Sequence, residues 1–368
     1  MKIRCRREKF LPLFTLISSF TSTRDTRPSL QNVKMVADEK SVVLSATDSE
    51  IGAQGELSIE DGFVVESVGE VVLPAKRLRR ILAETVDEEI TLESNGAQLG
   101  VYGNNFRYQL STWSAGDFPS IPLFDASAYH KIDTKLLAEM IRRTSFATDI
   151  ENAHYALGGV LFNFGSDYIT AVSTDGRRLA IQKRSAESVG GHASENKAIF
   201  PLRSLNLIER AVGEVDEALI AVSEGRAIIR LGNVVVSTIL KEGRFPNWNA
   251  IVPDKSGKSR VDFLAGQLAS AVRQAEIVVT EKKPGVWFHF GQGKANIAAS
   301  GEEIGESNIE LPIVYEGAKS SLRLDPRFLN EFLRSISPDE TIAFYFQPDS
   351  PVLFETTDDY KYVVMPLT

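Results

Sequence analysis

Cysteine is almost missing from this chain. Cys5 is the only one in 368 residues, so no internal disulfide can form, and a reducing, cytoplasmic setting is the natural expectation. Histidine is scarce too: His130, His154, His192 and His289 are scattered without metal-ligand spacing. No nucleophile–base pair stands out, and "GQGKAN" falls short of a phosphate-binding loop. An enzyme would need a convergent acid–base or metal cluster, and none is legible, so neither catalysis nor a metal or cofactor is expected. No apolar run reaches the roughly 18 residues of a transmembrane helix, so no membrane partner is expected. The start, "MKIRCRREKFLPLFTLISSF", has the basic-then-apolar outline of a secretory signal. Glu8 and Pro12 interrupt it, and no small-x-small cleavage site follows before "TSTRD", so a strand and a helix are expected there. A cationic surplus is also lacking: 41 Lys and Arg face 49 Asp and Glu, for a net charge of −8. Taken bluntly, that argues against a nucleic-acid binder, but the charge of the contacting face is what counts.

What the chain does have is an ordinary globular composition, 43% hydrophobic and 24% charged, and a long repeat. "LPAKRLRRILAET" (73–85), "FPLRSLNLIERAV" (200–212) and "DPRFLNEFLRSIS" (325–337) share a helical apolar rhythm and a proline in second place. Pro74, Pro201 and Pro326 fall at near-equal intervals, each close to a third of the chain. The match extends on both sides. Thr47-Asp48 repeats as Thr174-Asp175, and Phe118-Pro119 repeats as Phe245-Pro246. Alternating apolar runs such as "GGVLFNF", "YITAVSTDG" and "RRLAIQKRS" are joined by glycine-containing turns and read as strands.

Each unit reads as strand, helix, three strands, then helix and four strands. The fold class is α+β, with three tandem repeats that each set two helices on antiparallel sheets. Pro- or Gly/Ser-marked junctions at "SIPLFDAS" and "IVPDKSGKS" divide the chain into 1–125, 126–254 and 255–368. Only "ESVGGHASEN" (187–196) and "PDKSGKS" look unstructured.

The expected helices are mostly net positive in a net negative chain. Residues 75–85 carry Lys76, Arg77, Arg79 and Arg80 against Glu84, and 134–146 carry Lys135, Arg142 and Arg143 against Glu139. Residues 202–212 and 326–336 carry two arginines each against one glutamate, whereas 262–276 break the pattern. Charges on one amphipathic helix ordinarily just face solvent. Here they recur at homologous places, and a repeat protein presents equivalent elements on a common side.

The repeat, with "VSTDGRRLAI" (172–181), "GRFPNWNAIVP" (243–253) and "YVVMPL" (362–367), closely resembles the bacterial sliding clamp, the beta subunit family of DNA polymerase III. The resemblance covers essentially the whole chain. It implies a head-to-tail homodimeric ring around double-stranded DNA, held without sequence specificity. It also implies docking of the polymerase III alpha subunit, the clamp loader, other polymerases and repair proteins through short hydrophobic motifs. Helices lying across the grooves present Lys and Arg to a phosphate field that carries no base information, which permits sliding. A non-ring scaffold that binds peptides without encircling DNA is the alternative.

Three sites follow from the resemblance. It places a peptide pocket at Leu157, at Thr174, Gly176, Arg177, Arg178 and Leu179, at Pro246 and Ile251, and at Val363, Met365, Pro366 and Leu367. For Leu157, Leu179, Ile251 and Val363 taken singly, plain core packing is the simpler reading. Ala250 departs from the family's arginine, Arg177 from its common histidine, and Thr368 from an Arg-Leu ending. The DNA-facing set is Arg27, Lys76, Arg77, Arg79, Arg80, Arg142, Arg143 and Arg203, of which about half are expected to approach phosphate. The dimer interface is Tyr108 and Leu110 on the strand "FRYQLS", with Ile277 and Val278 as helix positions.

Overall fold

The computed structural model describes residues 1–22, 25–149, 151, 156–213, 215–302 and 304–367, without the side chains of 194–197. His154 and Thr368 lie outside the described residues. The first third runs β1 (Lys2–Arg6), α1 (Arg7–Ser18), β2 (Val33–Ala37), β3 (Ser41–Thr47), β4 (Ile51–Ser58), β5 (Phe63–Ser67), β6 (Gly69–Leu73), α2 (Ala75–Glu84), β7 (Glu89–Ser94), β8 (Gln98–Tyr102) and β9 (Arg107–Ser111). The middle third runs β10 (Tyr129–Asp133), α3 (Thr134–Ser145), β11 (Gly159–Phe164), β12 (Tyr168–Thr174), β13 (Arg178–Ser185), β14 (Glu187–Val189), β15 (Ser194–Pro201), α4 (Leu202–Ala211), β16 (Glu217–Ser223), β17 (Arg226–Leu231) and β18 (Val234–Ile239). The last runs β19 (Ser259–Leu264), α5 (Ala265–Glu276), β20 (Val286–Gly291), β21 (Lys294–Gly301), β22 (Gly305–Pro312), β23 (Ser320–Leu324), α6 (Pro326–Arg334), β24 (Thr341–Phe346), β25 (Val352–Glu355) and β26 (Tyr360–Val364).

Strand pairing gathers these elements into two compact units. One comprises Met1–Leu137, Glu187–His192 and Arg203–Leu240. It holds a five-stranded sheet, β5-β1-β7-β8-β9, and a nine-stranded sheet, β14-β10-β16-β17-β18-β4-β3-β2-β6. The other comprises Ala138–Ala186, Ala193–Leu202 and Lys241–Thr368. It holds an eight-stranded sheet, β15-β11-β12-β13-β26-β25-β24-β19, and a four-stranded sheet, β22-β21-β20-β23. All the ladders are antiparallel, and two of them join successive repeats: β4 pairs with β18, and β13 with β26.

The helices form where apolar positions recur on one face. In α2, Ala75, Leu78 and Leu82 are buried behind Pro74, and Lys76, Arg77, Arg79 and Arg80 face out. In α6, Asp325 caps the first turn by accepting from the Arg327 amide at 2.9 Å, and Pro326 needs no donor there. Helix α1 runs through Pro12, holding Phe10, Leu13, Phe14 and Ile17 in the core. Cys5 on β1 is 1% exposed. The last third is aromatic, with Phe332 stacked on Tyr362 at 4.6 Å between ring centres. Among the described residues no helix is long and apolar enough to cross a membrane.

The structure corrects several expectations. Among the described residues three strands, not four, follow the second helix of each repeat, and four or five, not three, lie between its two helices. Helix α5 starts at Ala265, not 262. Residues 259–264 alternate buried Val261 and Phe263 with exposed neighbours and pair with β24, which is strand periodicity. The polar stretch 187–196 carries β14 and the start of β15. There, β14 pairs with β10, Gly190 and Gly191 turn the chain at positive φ, and a buried histidine pair holds the turn. The Nδ1 atoms of His130 and His192 lie 2.7 Å apart, and His192 Nε2 accepts from the Val222 amide at 3.1 Å.

Candidate peptide pocket and nucleic-acid interface

A tight turn between β12 and β13 carries the first group of residues expected at the pocket. Thr174 Oγ1 donates to the Arg178 carbonyl at 2.6 Å and accepts from the Gly176 amide at 3.1 Å. Asp175 Oδ1 accepts from the Arg177 and Arg178 amides at 2.9 and 3.0 Å. Gly176 has φ +85°, which a side chain would strain, and the turn leaves Arg177 exposed. The C-terminal strap carries the second group. The Met365 amide donates to the Arg177 carbonyl at 3.0 Å and the Leu367 amide to the Arg323 carbonyl at 2.8 Å. Met365 is 46% and Ile251 39% exposed, Pro246 is exposed, and Leu157, Pro366 and Leu367 are half-buried. Below them lie buried Thr174, Leu179 and Val363, with Leu179 opposite Val363 in the sheet. Leu179 and Val363 are core residues that lie beneath the exposed candidates.

Arg178 departs from the expected pocket wall. It is 8% exposed and turned inward, with Nε on Asp175 at 2.9 Å, Nη2 on the Phe146 carbonyl at 2.7 Å, and Nη1 on Glu331 of α6. Its guanidinium also lies 4.5 Å from the Phe328 ring centre. It fastens α6 to β13 and so braces the turn that carries Arg177. Sequence reasoning missed Phe245, Trp248 and Val252, which pack with Leu157, Leu179 and Val363 in one apolar cluster. Their signal was present in "GRFPNWNAIVP", whose tryptophan stands between the two pocket positions taken from it.

The basic residues divide sharply. Lys76, Arg77, Arg79 and Arg80 are exposed on α2, and among the described residues none pairs with a carboxylate. Lys76 and Arg79 border a cavity of about 490 Å³ with Arg210, which the sequence reading had not assigned to the site. Arg142 is exposed on α3. Arg27 is 59% exposed but clamps Asp25 at 3.0 Å and reaches Ser49 Oγ at 3.1 Å. Its hydrogen bonds hold the Asp25 carboxyl below the usual range. Arg203 is paired with the nearly buried Asp48 carboxylate, without the direction of a hydrogen bond.

Arg143, expected in the DNA-facing set, is not on the exposed cationic surface. It is 4% exposed and sits over the Tyr360 ring at 4.9 Å. Its guanidinium meets Gln182 at 2.9 Å, Asp358 at 2.6 Å, Glu139 at 3.0 Å and Glu340 at 3.1 Å. Arg184 shares two of these carboxylates, reaching Glu139 at 2.9 Å and also Asp358. Burial alone would raise the Asp358 carboxyl, but hydrogen bonds from Thr356 and Arg184 and the charge of Arg143 outweigh it and hold it at about 2. Glu340 goes the other way: burial raises it, Arg143 opposes that, and Asp358 and Glu139 reinforce it.

At the sheet margins, β9 is an edge strand bonded only to β8, with Tyr108 45% exposed and Leu110 half-buried. Ile277 and Val278 lie just past α5 rather than within it. Ile277 caps the helix and is 75% exposed, while Val278 packs against the core of the last repeat. Among the described residues no group of three or more His, Cys, Asp or Glu is placed to hold a metal.

Tandem α+β repeats joined edge to edge, with a cationic helix face and an apolar cluster beside a C-terminal strap, define a clamp of the DNA-replication type. Sequence profiles of the DNA polymerase III beta subunit match almost throughout: the N-terminal domain over residues 1–122, the central domain over 131–247 and the C-terminal domain over 250–368. The chain belongs to this family, the bacterial sliding clamps. It is 27% identical to the beta sliding clamp of Pseudomonas putida over 100% of both chains. It is 26% identical to that of Synechococcus elongatus over 100% of this chain and 99% of the relative. Among solved structures, the Pseudomonas aeruginosa sliding clamp bound to griselimycin superposes with a TM-score of 0.92 at 27% identity, covering 100% of this chain and 99% of that one. The Bacillus subtilis clamp, at 20% identity and a TM-score of 0.93 over 100% and 99% of the two chains, shares the fold. The function is that of a sliding clamp in DNA replication, and the peptide-only scaffold is not supported.

Proposed function

We infer that two copies close head to tail into a ring that encircles double-stranded DNA, with 1–125, 126–254 and 255–368 as its repeating domains. The observation that carries this is an incomplete set of junctions. By repeat position β9, β18 and β26 are equivalent, as are β4, β13 and β22. Two of the three possible junctions are made within the chain, β18 to β4 and β26 to β13. The remaining members, β9 and β22, each end a sheet. A second copy supplies the missing partner for each, removing two exposed templates for mispairing.

The exposed cations of α2, with Arg142 and Arg27, then hold DNA by its phosphates, and topology rather than tight contact retains it. The pocket of Leu157, Leu179, Pro246, Ile251, Val363 and Met365 takes short hydrophobic motifs from the polymerase alpha subunit, the loader and repair proteins. Met365 adapts to different side chains there. The chain acts in the cytoplasm as a non-catalytic subunit, and its partners supply the chemistry.

The test is topological. The protein is loaded onto a nicked circular plasmid with a bacterial clamp loader and ATP, freed of unbound protein, and the circle is cut once. Retention on circles with loss from linear DNA is expected. Equal retention on both would replace encirclement by contact binding.

A further inference from the structure

The sheet face that floors the pocket continues beyond it. Side chains alternate along a strand, so Ile181 and Lys183 follow Leu179 on one side of β13. In register with them, Lys361 stands opposite Ile181, and Thr170 opposite Lys183. Trp248 and Val252 cover these rows, enclosing a cavity of about 590 Å³ that Tyr168 and Asp359 also line. Ile181, Trp248 and Val252 belong both to this cavity and to the apolar cluster that holds Leu179 and Val363. The two spaces therefore share a wall, and the lining changes along the face from aliphatic to cationic.

The cationic end is only partly neutralised. The Lys183 ammonium lies 3.9 Å from the centre of the Tyr168 ring, a contact that carries no formal negative charge. Lys361 reaches Glu355 only at 3.8 Å, and Glu355 already serves Lys255. Among the described residues Asp359 is the single carboxylate in the lining, against two lysines. Lys183 and Lys361 are diagonal neighbours across the ladder, about 7–8 Å apart at the backbone, so one carboxylate can lie between their flexible ends.

We propose that this cavity extends the peptide pocket and receives an acidic side chain flanking the partner's hydrophobic motif. The carboxylate lies between Lys183 and Lys361, and its stem rests against Tyr168 and Trp248. This rests on reading the Leu179–Met365 pocket as the peptide site, and the experiment separates the two.

Full-length protein is titrated against a fluorescein-labelled synthetic peptide carrying a polymerase docking motif. The motif is tested alone, with two glutamates added at either end, and with two glutamines added instead. Glutamates at one end are expected to tighten binding by about threefold to tenfold over glutamines at low salt. The Lys183→Gln/Lys361→Gln double variant should lose that gain yet bind the bare motif as before. Equal affinity for the glutamate and glutamine peptides, or a gain that persists in the double variant, overturns the proposal. If the bare motif fails to bind, or binds a Met365→Ala variant unchanged, the pocket reading falls first and this one with it.

Discussion

Arg143 on α3 and Asp358 in the turn before β26 stand 215 residues apart in sequence and 2.6 Å apart in the fold. This contact ties the middle repeat to the last. Arg143 compensates three carboxylates at once, Glu139, Glu340 and Asp358. Arg143→Ala is therefore expected to cost roughly 1.5–3 kcal/mol, because it leaves half-buried Glu340 without its cation while Arg184 still serves Glu139 and Asp358. Thermal or urea unfolding of the full chain measures it. Lys76→Ala on the exposed face of α2 should stay within about 0.5 kcal/mol of the parent.

The same network sets a pH dependence. The Asp358 carboxyl is held at about 2, below its ordinary value. Its contribution is therefore fully present above about pH 4 and is lost as pH falls towards 2. Glu340 has the opposite sign, since its raised value means that ionisation weakens the fold as pH climbs through it. Melting curves of Asp358→Asn should lie below those of the parent at neutral pH and converge with them towards pH 2. A constant offset down to pH 2 would remove the carboxylate from the argument.

On the DNA side, Arg79→Ala and Arg80→Ala should each weaken binding to primed duplex at low salt and lower the slope of log K against log salt by about 1. Arg143→Ala should leave that slope unchanged while the protein remains folded. A changed slope for Arg143→Ala would return it to the DNA-facing set.

For the pocket, deleting Met365 to Leu367 is expected to abolish binding of a polymerase-tail peptide and leave the dimer intact. The strap makes one amide bond to the Arg177 carbonyl and one to the Arg323 carbonyl, both far from β9 and β22 in the pairing order. Calorimetry of the peptide and light scattering of the protein read the two effects separately.

For the ring, Leu110→Lys with Ile277→Lys should convert a particle of about 81 kDa into one near 40.6 kDa. Both positions are at least partly solvent-exposed in the single chain, so its fold should survive. A double variant that still scatters as a dimer would move the interface elsewhere.

The repeat was legible because its punctuation is chemical. Pro74, Pro201 and Pro326 mark helix starts, and Phe-Pro pairs mark the covering loops. The apolar rhythm around them separates helix from strand. The fate of each arginine was not legible. Arg142 and Arg143 are adjacent letters, but one faces out and the other is buried against carboxylates from the far end of the chain. Short-range pattern assigns a helix, but only tertiary contact says which cation is buried. The histidine pair behind β14 escaped for the same reason, since 62 residues separate two rings that touch. Asp262 and Phe263 were drawn into a helix because "DFLAGQLASAV" satisfies both periods at its start, and pairing with β24 decided for the strand.

One quiet feature of β1 has a practical side. Cys5 is the sole thiol, and burial pushes its ionisation far up, which leaves it inert towards alkylating and oxidising reagents while the chain stays folded. The outer surface thus offers no native thiol among the described residues. In the ring proposed above, a cysteine placed on β9 and another on β22 would meet across two copies, and mild oxidation would weld the seam. Covalent closure could then be switched on and off by a reductant, with no accessible native thiol to confuse the result.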